Sequence, residues 1–516
     1  MAYVSNPVRK GFYPDPSLCR VGDTYYCVHS SFGCAPGIPV FRSRNLVEWE
    51  QIGHALVREK QLRLKGSEIS GGIYAPTIRY HKGIFYITAT NVTIGYNFYI
   101  TAEKPEGPWS DPWDLKNAPG IDPSLYFEGD KCYYIGQRQK AEAAYFGDCE
   151  IWIQELNLTN HQLTGEPAVL WDGAMKPCIW PEGPHLYRRG DYYYLLIAEG
   201  GTEYHHSISV ARSHQLFGPY ESCPDNPIFT HRHLGHRYAI QNVGHGDLVD
   251  TPSGDWYILM LGTRPLKGRA ELGRETFLAD VSWEDDWPVI NAGEGKLRRQ
   301  QPVRLGGERR EPGCIRAEAR ETLYEIQWKK PLDLRLVGVR GFLPDMGACS
   351  MKNGELLLPA AEKGLETSGV LPFLAVRMES RQFCISVQTD VAQMSGASMA
   401  GLACFYDEKN YLLLGVEKRR KEVSLSVVSC VGGHRSRVAQ RRANREKTGG
   451  SAFALRLEGQ QQKAALYAAD ECLIADVDLG YMSSEAAGGF VGCLLGVYAE
   501  GGGQAVFGPL SIKMGE

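Results

Sequence analysis

The sequence predicts an all-β protein, a five-bladed β-propeller followed by a C-terminal β-sandwich, and three observations carry that prediction. One hairpin pattern occurs five times within the first 300 residues. Its copies recur roughly every 50 to 65 residues, a period that several strands fill, as in propeller blades. Beyond about residue 330, short strand-like runs return at regular spacing without helix signals, the pattern of a sandwich. The expected division is a propeller over residues 1–300, a linker over 301–329 rich in Arg, Glu and Pro, and a sandwich over 330–516.

The repeats open at Asp15-Pro16-Ser17, Ala75-Pro76-Thr77, Asp122-Pro123-Ser124, Glu182-Gly183-Pro184 and Asp247-Leu248-Val249. Each opening residue lies seven or eight positions before a turn glycine: Gly22, Gly83, Gly129, Gly190 and Gly254. Gly-Asp and Lys-Gly pairs at these turns suit tight hairpins that require positive φ. Further strand-like runs at residues 38–43, 98–102, 151–155 and 207–211 supply the outer strands. No long amphipathic helix pattern interrupts residues 1–300. In the second half, strands are expected at residues 383–387, 411–416, 422–428 and 490–495.

Composition agrees with many strands and turns: 58 Gly, and 27 Tyr against 17 Phe. A net charge of −4 gives no electrostatic drive toward nucleic acid or anionic membranes. No stretch approaches the ~18 apolar residues needed to span a bilayer. The start, Met1-Ala2-Tyr3-Val4, lacks a basic segment followed by an apolar run, so the reading is a cytoplasmic protein without a secretory leader. The 14 cysteines are scattered and read as free, buried thiols.

In a propeller, equivalent positions of different blades converge on one axis. The first position of the repeats holds Asp15, Ala75, Asp122, Glu182 and, in the fifth, the Gly246-Asp247 step after His245. Gathering like charges is costly, and stability alone does not call for it. Glycoside hydrolysis does: one carboxyl must donate a proton to the leaving oxygen while another, ionised, activates water or attacks the anomeric carbon. Asp-Pro is also an ordinary turn pair, and Glu182 within Trp180-Pro181-Glu182-Gly183-Pro184 also suits a surface turn. The shared register weighs against that alternative.

The chain resembles glycoside hydrolase family 43. The resemblance rests on Gly11-Phe12-Tyr13-Pro14-Asp15-Pro16-Ser17, Gly72-Ile73-Tyr74-Ala75-Pro76-Thr77, Gly120-Ile121-Asp122-Pro123-Ser124, Pro181-Glu182-Gly183-Pro184-His185, Gly244-His245-Gly246-Asp247 and Leu272-Gly273-Arg274-Glu275-Thr276-Phe277. It implies an inverting, exo-acting β-xylosidase or α-L-arabinofuranosidase working on small oligosaccharides, with Asp15 as general base and Glu182 as general acid. Asp122 would orient Glu182 and raise its pKa. It also implies that Arg274 hydrogen-bonds the sugar, with Phe32, Tyr74, Ala75 and His245 around it. No cofactor is required, and calcium at the propeller axis, with His245 as a ligand, is the one metal the resemblance allows. A homo-oligomer is left open. Two departures bear on the substrate: Tyr74 stands where many xylosidases carry Trp, and Gly33-Cys34 replaces an acidic residue and an aromatic in a loop expected to shape the pocket. The sandwich is expected to lend a loop to the pocket, with no particular residue singled out.

Two further signals are set aside. The basic run at residues 435–445 reads as a solvated loop, since aromatic residues are not interleaved with it. His231, His233 and His236 lie in a stretch of low periodicity and are not taken as a metal site.

Overall fold

The computed structural model describes residues 2–177, 179–303, 322–394, 397–420, 422–443 and 452–515. Five four-stranded antiparallel sheets follow one another along the chain, each with its strands in sequence order. The first blade comprises Ser17–Val21, Thr24–Val28, Gly37–Ser43 and Glu50–Leu56. The first strands of the others are Ile73–His81, Ser124–Glu128, Glu182–Arg189 and Gln241–Asp250. These first strands touch their successors in a closed ring, the fifth against the first, which makes the assembly a five-bladed propeller.

Local chemistry sets each blade. Val21 pairs with Thr24, His81 with Ile84, Glu128 with Lys131 and Arg189 with Tyr192, so four blades open on two-residue hairpin turns. Gly22, Gly129 and Gly190 supply the left-handed first turn residue at φ of 63°, 60° and 57°. Within the blades, successive residues such as Leu195 and Leu196 face opposite sides and are both buried, because every sheet is covered by its neighbours. The ring closes on itself when Ala2–Ser5 pairs antiparallel with Gln300–Val303. Asn6 Nδ2 reinforces this by donating to the carbonyls of Leu278 at 2.8 Å and Arg298 at 2.9 Å.

The second half is a sandwich of a nine-stranded and a six-stranded sheet. Residues 322–326, expected in the linker, form a strand paired with Leu510–Met514, so the sandwich begins earlier than the sequence suggested. Residues 304–321, the rest of that linker apart from its ends, lie outside the described residues. The basic run is not a loop. His434–Arg442 is the edge strand of the six-stranded sheet, with Arg435, Arg437 and Arg441 paired to Glu500, Glu417 and Glu471, and charged edges of this kind discourage pairing with other chains. Asn444 and Arg445 lie outside the described residues.

One hydrophobic core runs through both halves, from Phe12 and Phe32 to Leu494 and Ile512. A short antiparallel pair, Cys34–Ala35 with Gly338–Val339, stitches the sandwich to blade one. A Cβ on Gly33 would lie 2.8 Å from Ile69 Cα, so only glycine fits that close approach. The Gly33-Cys34 departure thus belongs to the docking seam and not to the pocket wall, a correction to the sequence reading. Nearby, the Arg377 guanidinium of the sandwich stacks 4.8 Å above the Tyr13 ring of the propeller. No disulfide links the described cysteines, most of which are buried, but Cys472 is exposed and Cys349 and Cys384 are half-buried, against the expectation that all are buried. No helix among the described residues is long and apolar enough to cross a membrane.

Candidate active site

The axis-facing position of each blade is a backbone kink. Asp15, Ala75, Asp122 and His245 take φ of 52°, 26°, 55° and 41°, and in blade four Gly183 takes 57°. Left-handed conformations at residues other than glycine cost about 1–3 kcal/mol and cluster at functional sites. Each lies two residues before a buried position in the next layer, held by Ser17, Thr77, Ser124, His185 and Asp247. Two parts of the sequence reading change accordingly. Glu182 stands one residue before the equivalent position, at a bulge between Glu182 and His185. In the fifth blade that position belongs to His245, and Asp247 lies in the layer below.

Asp15, Asp122 and Glu182 line one cavity of ≈ 340 Å³, together with Phe32, Tyr74, His245 and Arg274. Ligand pockets run from about 300 to 1,000 Å³, so this one suits a single sugar unit. Ala75 does not line it. Its backbone N–H donates to Ser30 Oγ at 2.6 Å, and that hydroxyl donates to Asp15 Oδ2 at 2.6 Å. Arg274 Nη1 donates to Asp15 Oδ1 at 3.0 Å and to Thr202 Oγ1 at 3.1 Å. The Asp122 backbone N–H donates to Thr90 Oγ1 at 3.2 Å. His245 Nδ1 sits 3.8 Å from Asp15 Oδ1 and 3.9 Å from Asp122 Oδ2. The Glu182 carboxyl takes no hydrogen bond from a described residue.

These surroundings separate the carboxyl groups. Burial pushes Asp15 up, but Arg274, His245 and the Ser30 hydroxyl together outweigh it, and its pKa falls below the usual carboxylate value. Burial raises Glu182 to about 8, with repulsion from Asp15 adding to it and Arg274 opposing. Asp122 is also carried well up, by burial first and then by Glu182 and Asp15. Asp15, the ionised member, repels the Glu182 carboxylate, and Asp122 and Glu182 repel each other. An ionised and a protonated carboxyl face one small cavity, the division of labour that acid–base catalysis needs.

Beneath this layer, Asp247 is fully buried. It accepts from Ser17 Oγ at 2.7 Å, Leu18 N at 3.0 Å, Arg79 Nη1 at 2.9 Å and Tyr187 OH at 2.5 Å. Arg79 Nη2 also donates to His185 Nδ1 at 2.9 Å. Calcium takes about 6–8 oxygen ligands. The layer below His245 offers one carboxylate, already neutralised by a guanidinium, and among the described residues no three His, Cys, Asp or Glu side chains gather as a metal group. That layer is thus filled by its own ion pair, and around His245 no group of three such side chains forms among the described residues. His231 is likewise occupied: Nδ1 lies 2.8 Å from the Ile240 carbonyl and Nε2 accepts from Leu297 N at 3.0 Å.

The sequence matches the model of Glycosyl hydrolases family 43 over residues 4–288. The chain belongs to this family. Residues 332–509 match the Beta xylosidase C-terminal Concanavalin A-like domain. The chain is 44% identical over 512 residues to a Xylosidase/arabinosidase of Butyrivibrio fibrisolvens, covering 98% of this chain and 97% of that protein. It is 32% identical over 521 residues to the Non-reducing end alpha-L-arabinofuranosidase BoGH43B of Bacteroides ovatus, covering 98% and 92%. A solved structure, the xylan beta-1,4-xylosidase from Bacillus halodurans C-125, superposes with a TM-score of 0.89 at 30% identity, covering 99% of this chain and 100% of that one.

This family 43 glycoside hydrolase completes its pocket with residues the sequence did not announce. Phe490 comes from the sandwich and lies 6.4 Å from Phe32 and 6.3 Å from Tyr74, ring centroid to centroid. Residues 490–493 were expected to begin a strand, but the strand starts at Leu494 and Phe490 belongs to the loop before it. Its N–H donates to Ser70 Oγ at 3.1 Å, and its carbonyl accepts from Arg274 Nη2 at 3.4 Å. Trp180, Thr202, His206 and Gln137 also line the cavity. The signal for Thr202 and His206 was the Gly200-Gly201 break after a second blade strand, which places the next residues on the same rim as the carboxylates.

Proposed function

We propose that this glycoside hydrolase is exo-acting and inverting, and releases xylose or arabinose from the ends of xylo- or arabinoxylo-oligosaccharides. The observation that carries the proposal is the opposed pair in one cavity: Asp15 held below the ordinary carboxylate range and Glu182 raised to about 8. Asp15 takes the proton of a water molecule as its oxygen attacks the anomeric carbon. Glu182 gives its proton to the departing glycosidic oxygen, so the leaving sugar departs neutral. Asp122 stands beside Glu182, and the repulsion between the two carboxyl groups favours the protonated acid that the reaction needs. Arg274, Phe32, Tyr74 and Phe490 enclose the sugar, and the reaction calls on no cofactor.

The names of the relatives support both pentoses, since one is called a Xylosidase/arabinosidase and another an alpha-L-arabinofuranosidase. Arabinofuranosidase as the main activity is the second reading. A purely binding propeller would not need three carboxyl groups in its pocket. The test is a panel of nitrophenyl pentosides and xylo-oligosaccharides, with the first-formed anomer followed by proton NMR. Release of xylose or arabinose with inverted configuration is expected. A folded protein inactive on every pentoside, or one giving a retained product, would overturn the proposal.

A further inference from the structure

His206 lies at the start of the third strand of blade four, Ser207–Ser213, and lines the cavity beside Asp15, Arg274 and Thr202. It is 1% exposed. Its Nδ1 is 3.0 Å from the backbone carbonyl of Asn242. A carbonyl only accepts, so Nδ1 carries the ring hydrogen, and in a neutral imidazole Nε2 is then a lone-pair acceptor. That Nε2 is buried and has no hydrogen-bond partner. A buried acceptor left unpaired is costly, and the surrounding fold does nothing to relieve it.

The ring is held where it is. A Cβ on Gly244 would fall 2.5 Å from three of its atoms, so the blade-five strand can pass only as glycine. Asn242, which presents the carbonyl, adopts a left-handed φ of 58°. Burial lowers the ring's pKa to about 3, with His245 and Arg274 adding to the effect and the carbonyl contact opposing it, so the ring is neutral near pH 7. The neighbouring Asp15 oxygens are already engaged by Ser30 and Arg274. Arg274 meanwhile brings only donors to this side of the cavity.

We infer that His206 Nε2 accepts the hydrogen of one hydroxyl of the bound end sugar, so the pocket requires a free hydroxyl at that position. This rests on the glycosidase reading and deepens it. An end unit whose hydroxyl there is missing, methylated or esterified offers no hydrogen and leaves Nε2 unpaired. Where natural substrate carries an ester at that hydroxyl, an ester-cleaving reaction must come first.

The test pairs protein and substrate changes. Wild type, His206→Ala and His206→Gln are each assayed on a nitrophenyl pentoside and its monodeoxy and mono-O-methyl derivatives. For one position, wild type should lose about 10- to 100-fold in kcat/KM, while His206→Ala, already impaired on the parent, loses no more than about 2-fold further. His206→Gln, whose amide oxygen can accept, should keep part of the discrimination. Equal penalties in wild type and both variants at every position, with unchanged melting, would overturn the inference. Should wild type turn over no pentoside, the glycosidase reading fails by itself, and calorimetric binding of the parent and deoxy pentoses decides the hydroxyl contact: discrimination lost in His206→Ala supports it, and discrimination unchanged refutes it.

Discussion

Arg274 and Asp15 are 259 residues apart in sequence and meet at 3.0 Å, Nη1 to Oδ1, within the same cavity. The contact joins a residue of the fifth blade to one of the first, across the point where the ring closes. It is also a leading reason that Asp15 remains a carboxylate despite its burial.

Removing that charge should therefore move a titration. In Arg274→Gln, Asp15 loses its main stabilising partner and its pKa rises. The acid limb of kcat/KM should shift to higher pH, with kcat/KM down about 100-fold or more at its optimum because the sugar also loses a donor. A pH–rate profile measures both. An unmoved acid limb would assign that limb to another group.

Glu182 governs the other limb. It works as a protonated acid, so wild-type kcat/KM should fall as pH rises through about 8. In Glu182→Ala the alkaline limb should vanish. Activity on natural linkages should drop about 1,000-fold, but much less on substrates with good leaving groups that need no proton.

The same proton affects stability. Glu182 keeps it in the folded state up to about 8, whereas the unfolded chain loses it near the ordinary value of 4.5. Its contribution is full below that value and is lost as pH rises toward 8. Glu182→Gln removes this dependence, so the Tm advantage of the variant should widen from pH 5 to pH 8 and then level off. Differential scanning fluorimetry across that window reads it directly.

Phe490 is 40% exposed, so its loss should disturb the pocket more than the fold. Phe490→Ala should lower kcat/KM about 10-fold while leaving Tm within a few degrees, given that an aromatic contact is worth about 0.5–1.5 kcal/mol.

Arg79 and Asp247 should behave in the opposite way. Arg79→Met strands a buried carboxylate whose pKa is now held at about 2. Breaking such a pair from one side costs about 3–5 kcal/mol, readable by urea unfolding. The double variant Arg79→Met/Asp247→Leu should recover part of the loss.

The blades were legible because their signals are local. A two-residue turn with glycine and the alternation that follows lie within one stretch of chain, and Asp15 and Asp122 fall at a fixed distance before it. Blade five misled the count because Asp250 pairs with Trp256, leaving a longer turn, so counting back from Gly254 reached Asp247 and not His245. The place of Gly33-Cys34 in the seam is not legible in the sequence, since Gly338–Val339 lies some 300 residues away and a two-residue pairing has no periodicity to announce it. Phe490 was hidden for a related reason: an apolar residue ahead of an apolar strand looks like part of that strand, and only its placement against Phe32 and Tyr74 shows otherwise.

That placement has a consequence in time. The three carboxylates are all synthesised by Glu182, whereas Phe490 follows about 300 residues later. At roughly 5–20 residues per second, the interval is on the order of 15 to 60 seconds. Throughout it the growing chain carries its acids without the last wall of the cavity. A chain that stops before Phe490 holds the three acids without the wall that Phe490 forms, so the complete enclosure belongs to a chain that includes the sandwich.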